Sequence, residues 1–125
     1  MKVQSDSQID LQDVTMPGSH GCKVRWLIGK SDEAPNFAMR EFEVEPGGYT
    51  PKHHHPYEHE VFVLDGEGVV IEGEVEHPLR SGDVVYVQPD EVHQFRNSGD
   101  RPLKFLCLVP NSVYHAPITP ECGNE

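Results

Sequence analysis

What most limits the fold of this chain is the way its apolar residues are punctuated. Short runs with period-two alternation recur every eight to twelve residues, glycine or proline interrupts them, and no stretch holds a helical period. A helical bundle needs apolar positions three and four apart, and this sequence does not supply them. The pattern requires an all-β sandwich or barrel.

Taken in order, the runs assign most residues to a face. A short strand is expected near 8–15, with the rest of 1–21 loosely held. Over 22–29, Cys22, Val24, Trp26 and Ile28 share one side. In 37–45, Met39, Glu41, Glu43 and Glu45 alternate with Ala38, Arg40, Phe42 and Val44. Three carboxylates in a row predict that the first face meets solvent, which turns Arg40 inward. An inward arginine needs a carboxylate or an anionic ligand, or a place at a barrel mouth from which to snorkel. Residues 60–72 and 75–80 read as a hairpin around Glu72-Gly73-Glu74, with Gly66 and Gly68 bending the first strand. Residues 84–87 read as a buried strand, and 92–97 put His93 and Phe95 on one face. Asn97-Ser98-Gly99-Asp100 reads as a hairpin loop. The last strand, 103–109, sets Phe105, Cys107 and Val109 opposite Leu106 and Leu108. The tail from Pro110 has three prolines and no period.

Chemistry is concentrated in residues 47–66, where four of the eight histidines fall within seven positions. His53 and His55 are two apart, so a strand sends both side chains to one face. Pro56 ends that strand, and His59 opens another in which His59, Val61 and Val63 share a face. Three imidazoles then converge from adjoining strands, as a transition-metal site on a sheet requires. A helical pair at His55 and His59 is the competing geometry, but Pro56 and the run Val61-Phe62-Val63 favour strand. His54 points the other way and is expected to be exposed. A slip of one residue would present Glu58 or Glu60 in place of His59.

These residues resemble the first motif of the cupin superfamily. Gly47, His53, His55 and Gly66 stand in register with it, and His59 occupies the place where most members carry glutamate. Gly82, His93 and Asn97 match the spacing of the second motif, although Gln88 and Asp90 replace its proline and glycine. The resemblance covers 37–109. It implies a cupin double-stranded β-helix, a small jelly-roll barrel, with residues 1–125 as one domain and a core at about 22–109. It also implies one divalent transition metal held by His53, His55, His59 and His93. Manganese or iron comes first, with nickel, zinc or copper behind. Four neutral ligands would leave two positions open and the full metal charge in place.

Composition narrows the partners. The formal net charge is −11, from 21 acidic and 10 basic residues, which argues against nucleic acid and anionic membrane as ligands. Cys22, Cys107 and Cys122 form no C-x-x-C pair, and their odd number suits a reducing cytoplasm. Residues 1–6 lack the apolar core of a signal peptide, and no run of 18 apolar residues exists. A cytoplasmic protein with a small-molecule ligand is expected. Phe62 and Leu64 face away from His59, and the resemblance implies a homodimer formed through such a face.

Three functional classes fit: an oxygenase, which the resemblance places first, a non-redox isomerase or lyase, and a non-catalytic binder of a small ligand or metal. Arg40 is the candidate contact for an anionic substrate. Trp26, Phe42, Phe95, Phe105 and Cys107 are candidates for the pocket wall.

Overall fold

A computed structural model describes residues 1–111 and the backbone of residues 119–120. The architecture is all-β. The strands are β1 (Gln12–Asp13), β2 (His20–Ile28), β3 (Phe37–Tyr49), β4 (His53–His54), β5 (His59–Asp65), β6 (Glu67–Glu72), β7 (Val75–Arg80), β8 (Val84–Val87), β9 (His93–Asn97), β10 (Leu103–Pro110) and β11 (Thr119–Pro120). Asp6–Gln8 and Lys30–Asp32 are single 3₁₀ turns.

Every pairing is antiparallel, and the strands curl into a jelly roll with two halves. One half runs β1-β2-β3-β10-β5-β8 and the other β7-β6-β9-β4-β11. The long β3 belongs to both, because its far end pairs Tyr49 with Arg96 of β9. Gly48 permits that crossing. A Cβ there would lie 2.6 Å from the His20 carbonyl oxygen, closer than real atoms approach. Gly66, with φ of 90°, lets the chain turn from β5 in one half to β6 in the other, where a Cβ would run into the Pro102 carbonyl.

The inner faces close on a core that draws on both halves. Val44, Val63, Leu103, Phe105 and Val109 come from one half, and Val70, Leu79 and Phe95 from the other. Phe105 stacks on Phe95 with ring centroids 4.6 Å apart and on Phe42 at 5.3 Å. Strand β10 alternates buried and half-buried residues along its length, with Phe105, Cys107 and Val109 inside. At the rim Asn97 donates from Nδ2 to the carbonyls of Val44 and Arg101 and accepts from Gly99 N–H, all at 2.8 Å.

Four expectations need correction. Glu41 is not solvent-facing: it is 3% exposed. Arg25 meets it at 3.6 Å, and Asp6 of the N-terminal segment lies against the same carboxyl. Burial, then Asp6, raises its pKa. The segment over it is held more firmly than its sequence suggests. Lys2 Nζ donates to Asp32 Oδ1 and to the Leu27 carbonyl at 2.9 Å, and Arg25 Nε donates to the Ile9 carbonyl at 3.2 Å. Strand β8 is buried on one face only, since it borders only β5, buries Val87 and exposes Val84 and Tyr86. The turn at 97–100 joins no hairpin, because β9 and β10 do not pair and each borders β3 instead. The tail beyond Asn111, with Cys122, lies outside the described residues apart from β11, which pairs with β4.

Candidate metal centre

Four histidine rings meet at one end of the barrel. His53 and His93 are cross-strand partners on β4 and β9, and their ring centroids are 4.9 Å apart. His55 follows β4 immediately and lies 5.2 Å from His53 and 5.0 Å from His93. These three come from one half of the jelly roll. His59, the first residue of β5, comes from the other, 4.3 Å from His55 and 5.2 Å from His93. The ligand nitrogens of His53, His55 and His93 all lie within 4.8 Å of one another, a spacing that a metal ion can bridge. His59 stands beside this trio, nearly parallel to His55 at 18°. His54 is half-buried and does not belong to the trio.

The hydrogen bonds show which nitrogens are free. His55 Nδ1 contacts the Tyr57 carbonyl at 2.8 Å, and His93 Nδ1 contacts the Glu91 carbonyl at the same distance. A carbonyl oxygen can only accept, so both rings carry their proton on Nδ1 and offer a bare Nε2. Tyr57 also stacks flat on His55, with centroids 3.9 Å apart and planes 5° off parallel. Nε2 of His55, His59 and His93, and Nδ1 of His53, are buried without a hydrogen-bond partner. Four orphaned nitrogens in one cluster cost stability unless something they can ligate lies between them. The donor set fits a divalent transition metal.

The electrostatics agree. Burial first, and the charge of neighbouring histidines next, pushes His53 down to about 3 and His55 down to about 4. His59 is held well below the ordinary imidazole range by burial and then by Arg40, and burial lowers His93 as well. All four rings are therefore neutral near pH 7, the form that ligates metals.

A narrow cavity of about 100 Å³ opens onto the cluster. Arg40, Phe42, Phe95, Phe105 and Cys107 line it, as do Tyr57 and the four histidines. Trp26, the other wall candidate, is not part of the lining. It lies against Arg40, whose guanidinium carbon is 5.3 Å from the Trp26 ring and 4.9 Å from the Phe42 ring. Cation–π contacts on these rings hold the head of Arg40 in place. Its Nη2 donates to Cys107 Sγ at 3.2 Å, and its Nε is buried without a partner. The rest of the lining comes from residues that were not wall candidates in the sequence: Val14, Met16, Thr50 and Pro51. Val14 and Met16 reach it from a loop that Ser19 closes by donating from Oγ to the Met16 carbonyl at 2.7 Å. A wider groove of about 590 Å³ runs between β7 and β8 and touches the histidine cluster only at His93.

Fold and cluster together define a β-barrel with a histidine group at one mouth that could hold a metal ion. The Cupin domain family model matches residues 40–109, and the chain belongs to that family. It is 43% identical to Protein SchB of Streptomyces halstedii over 102 residues, 80% of this chain and 74% of SchB. The polyketide cyclase RemF from Streptomyces resistomycificus superposes with a TM-score of 0.89 at 28% identity, over 97% of this chain and 85% of RemF. A third relative is 1-methylthio-D-xylulose 5-phosphate methylsulfurylase of Rhodospirillum rubrum, 37% identical over 71 residues. That match covers 57% of this chain and slightly less than half, 46%, of the methylsulfurylase.

Proposed function

We propose that this protein is a metal-dependent cyclase that closes a ring in a small poly-β-carbonyl substrate without consuming oxygen. The observation that carries the reading is the inner end of the cavity. There four imidazoles, each with a buried nitrogen that has no hydrogen-bond partner, and Arg40, whose Nε has none, line a narrow space with aromatic walls. The likeness to RemF over nearly the whole chain supports it.

His53, His55, His59 and His93 would hold the metal. A divalent ion bound there supplies Lewis acidity that makes the carbon between two carbonyls easier to deprotonate. Four imidazoles suit iron, nickel, copper or zinc, and manganese fits the same charge requirement. Arg40 Nε and its charge stabilise negative charge that develops on a carbonyl oxygen in the cavity. Phe42, Phe95 and Phe105 exclude water and press the chain into a folded conformation. The balance is that of an aldol condensation. One C–H bond of the carbon between two carbonyls breaks, a C–C bond forms to a more distant carbonyl carbon, and that carbonyl's oxygen takes up a proton to become a hydroxyl. The second C–H bond on the same carbon then breaks, a C=C bond forms, and the hydroxyl leaves with a proton as one water. The cavity is narrow, about 100 Å³, and Met16 and Thr50 line it together with the aromatic rings, so a slender dicarbonyl segment suits it.

An oxygenase is the second reading, because the same open coordination positions would suit dioxygen. One experiment separates the two. Metal-replete protein is incubated under argon with a synthetic trioxo ester, and the products are followed by mass and ultraviolet absorption. A cyclised product that has lost one water, formed without oxygen and suppressed by a chelator, supports the cyclase. Conversion that requires air and adds oxygen mass overturns it, as does no conversion at all.

A further inference from the structure

His55 and His93 have their Nδ1 fixed by backbone carbonyls, but His59 does not. Its Nδ1 meets a side chain, Cys107 Sγ, at 3.2 Å. Arg40 Nη2 reaches the same sulfur at 3.2 Å. Cys107 is 1% exposed and sits on β10, paired through Val61 with the strand that carries His59. Either tautomer of His59 leaves Nε2 without a protein partner. A proton on Nε2 would bury an unsatisfied N–H beside three other rings, whereas a proton on Nδ1 can be donated to sulfur and frees the Nε2 lone pair for a cation.

We propose that Cys107 is a positioning residue. Its sulfur accepts from His59 Nδ1 and so selects the tautomer and ring angle that turn His59 into the fourth metal ligand. By accepting from Arg40 as well, it sets the guanidinium at a fixed place relative to that ligand. The inference rests on the metal site proposed above. It differs from the other two visible hydrogen-bond anchors because it is a side chain and can be removed. Outer partners of this kind typically change metal affinity by about 10- to 100-fold.

The test compares Cys107→Val, which keeps the volume and removes the acceptor, with Cys107→Ser, which keeps an acceptor. Cobalt(II) is titrated into metal-free protein, and affinity and visible absorption are read together. Cys107→Val is expected to bind cobalt about 10- to 100-fold more weakly with an altered spectrum, and Cys107→Ser to stay within about threefold of wild type. Equal affinities for wild type and both variants overturn the proposal. Tight binding by wild type is scored separately, so a failure of the metal site itself is distinguishable from a failure of Cys107 to position it. Nitrogen-detected NMR of the imidazoles in zinc-loaded wild type needs no variant and guards against one that does not fold. A proton on His59 Nδ1 is expected, and a proton on Nε2 overturns the assignment.

Discussion

Metal-free protein should lose much of its stability between neutral pH and about pH 5, and the loss can be worked from the histidine cluster. An ordinary imidazole takes up a proton near 6.5, but the folded protein holds His53 down to about 3 and His55 down to about 4. Between those values the unfolded chain binds protons that the folded chain refuses. Stability therefore rises with pH across this window and falls as pH drops below about 6.5. The loss continues until the folded values are reached. At pH 5 the gap of about 1.5 units corresponds to about 2 kcal/mol for each of the two, or ~4 kcal/mol together. His59 and His93 are lowered as well and add to it. Glu60 works in the opposite direction, because its carboxyl is pushed up to about 7 by burial and then by Glu58. Its side chain is largely exposed, so solvent screens most of that contribution. Set against the ~5–15 kcal/mol of a typical domain, the histidines suffice to bring the protein close to unfolding. Urea titrations of chelator-treated protein between pH 7.5 and 5, followed by circular dichroism, measure the effect. The midpoint should fall with pH while the slope stays constant, and His55→Gln should flatten the dependence by about one proton. A midpoint that ignores pH, or a variant with the wild-type dependence, would refute the reasoning.

His53→Ala, His55→Ala and His93→Ala should each strip the metal, whereas His54→Ala should retain it, as elemental analysis of the purified variants will show. Arg40→Met should weaken the binding of small carboxylates or 1,3-diketones by about ten- to a hundredfold at unchanged metal content, because one charge-assisted contact is lost; calorimetric titration reads this directly. Asn97→Leu should destabilise the protein by roughly 3 kcal/mol, since it orphans two carbonyls and one N–H at the rim, a shift visible in the urea midpoint. Phe62 and Leu64 of β5 and Val84 of β8 crowd one outer face, so a homodimer is expected, and Phe62→Lys should yield monomers by light scattering.

The histidine placement was legible because it depends on period and turns alone. His53 and His55 share a face by parity, and Pro56 forces the break that lets His59 start a new strand. Faces covered by distant sequence were not legible. Glu41 alternates like a solvent residue, and nothing in 37–45 reveals that Asp6 and Arg25 will cover it. Tyr86 belongs to an apolar run that reads as interior, but strand order places it at an edge. The turn at 97–100 carries hairpin residues, and only the position of β3 between its two strands shows that it is a crossover. The pairing of Cys107 with His59 required the register of β10 on β5, which no local pattern contains. Among the described residues no helix is long and apolar enough to cross a membrane.

The division of the histidines between the two halves of the jelly roll has a kinetic consequence. His53, His55 and His93 ride on one half and His59 on the other, so an ion bound to all four stitches the mouth shut. Breathing of the barrel at that end would then have to break a coordination bond, and the ion could leave only when the halves part. With such an ion in place, metal release and opening of the mouth would become one event with one rate. That rate should be insensitive to the concentration of a competing chelator and should respond instead to whatever parts β5, which carries His59, from β4 and β9, which carry His53 and His93.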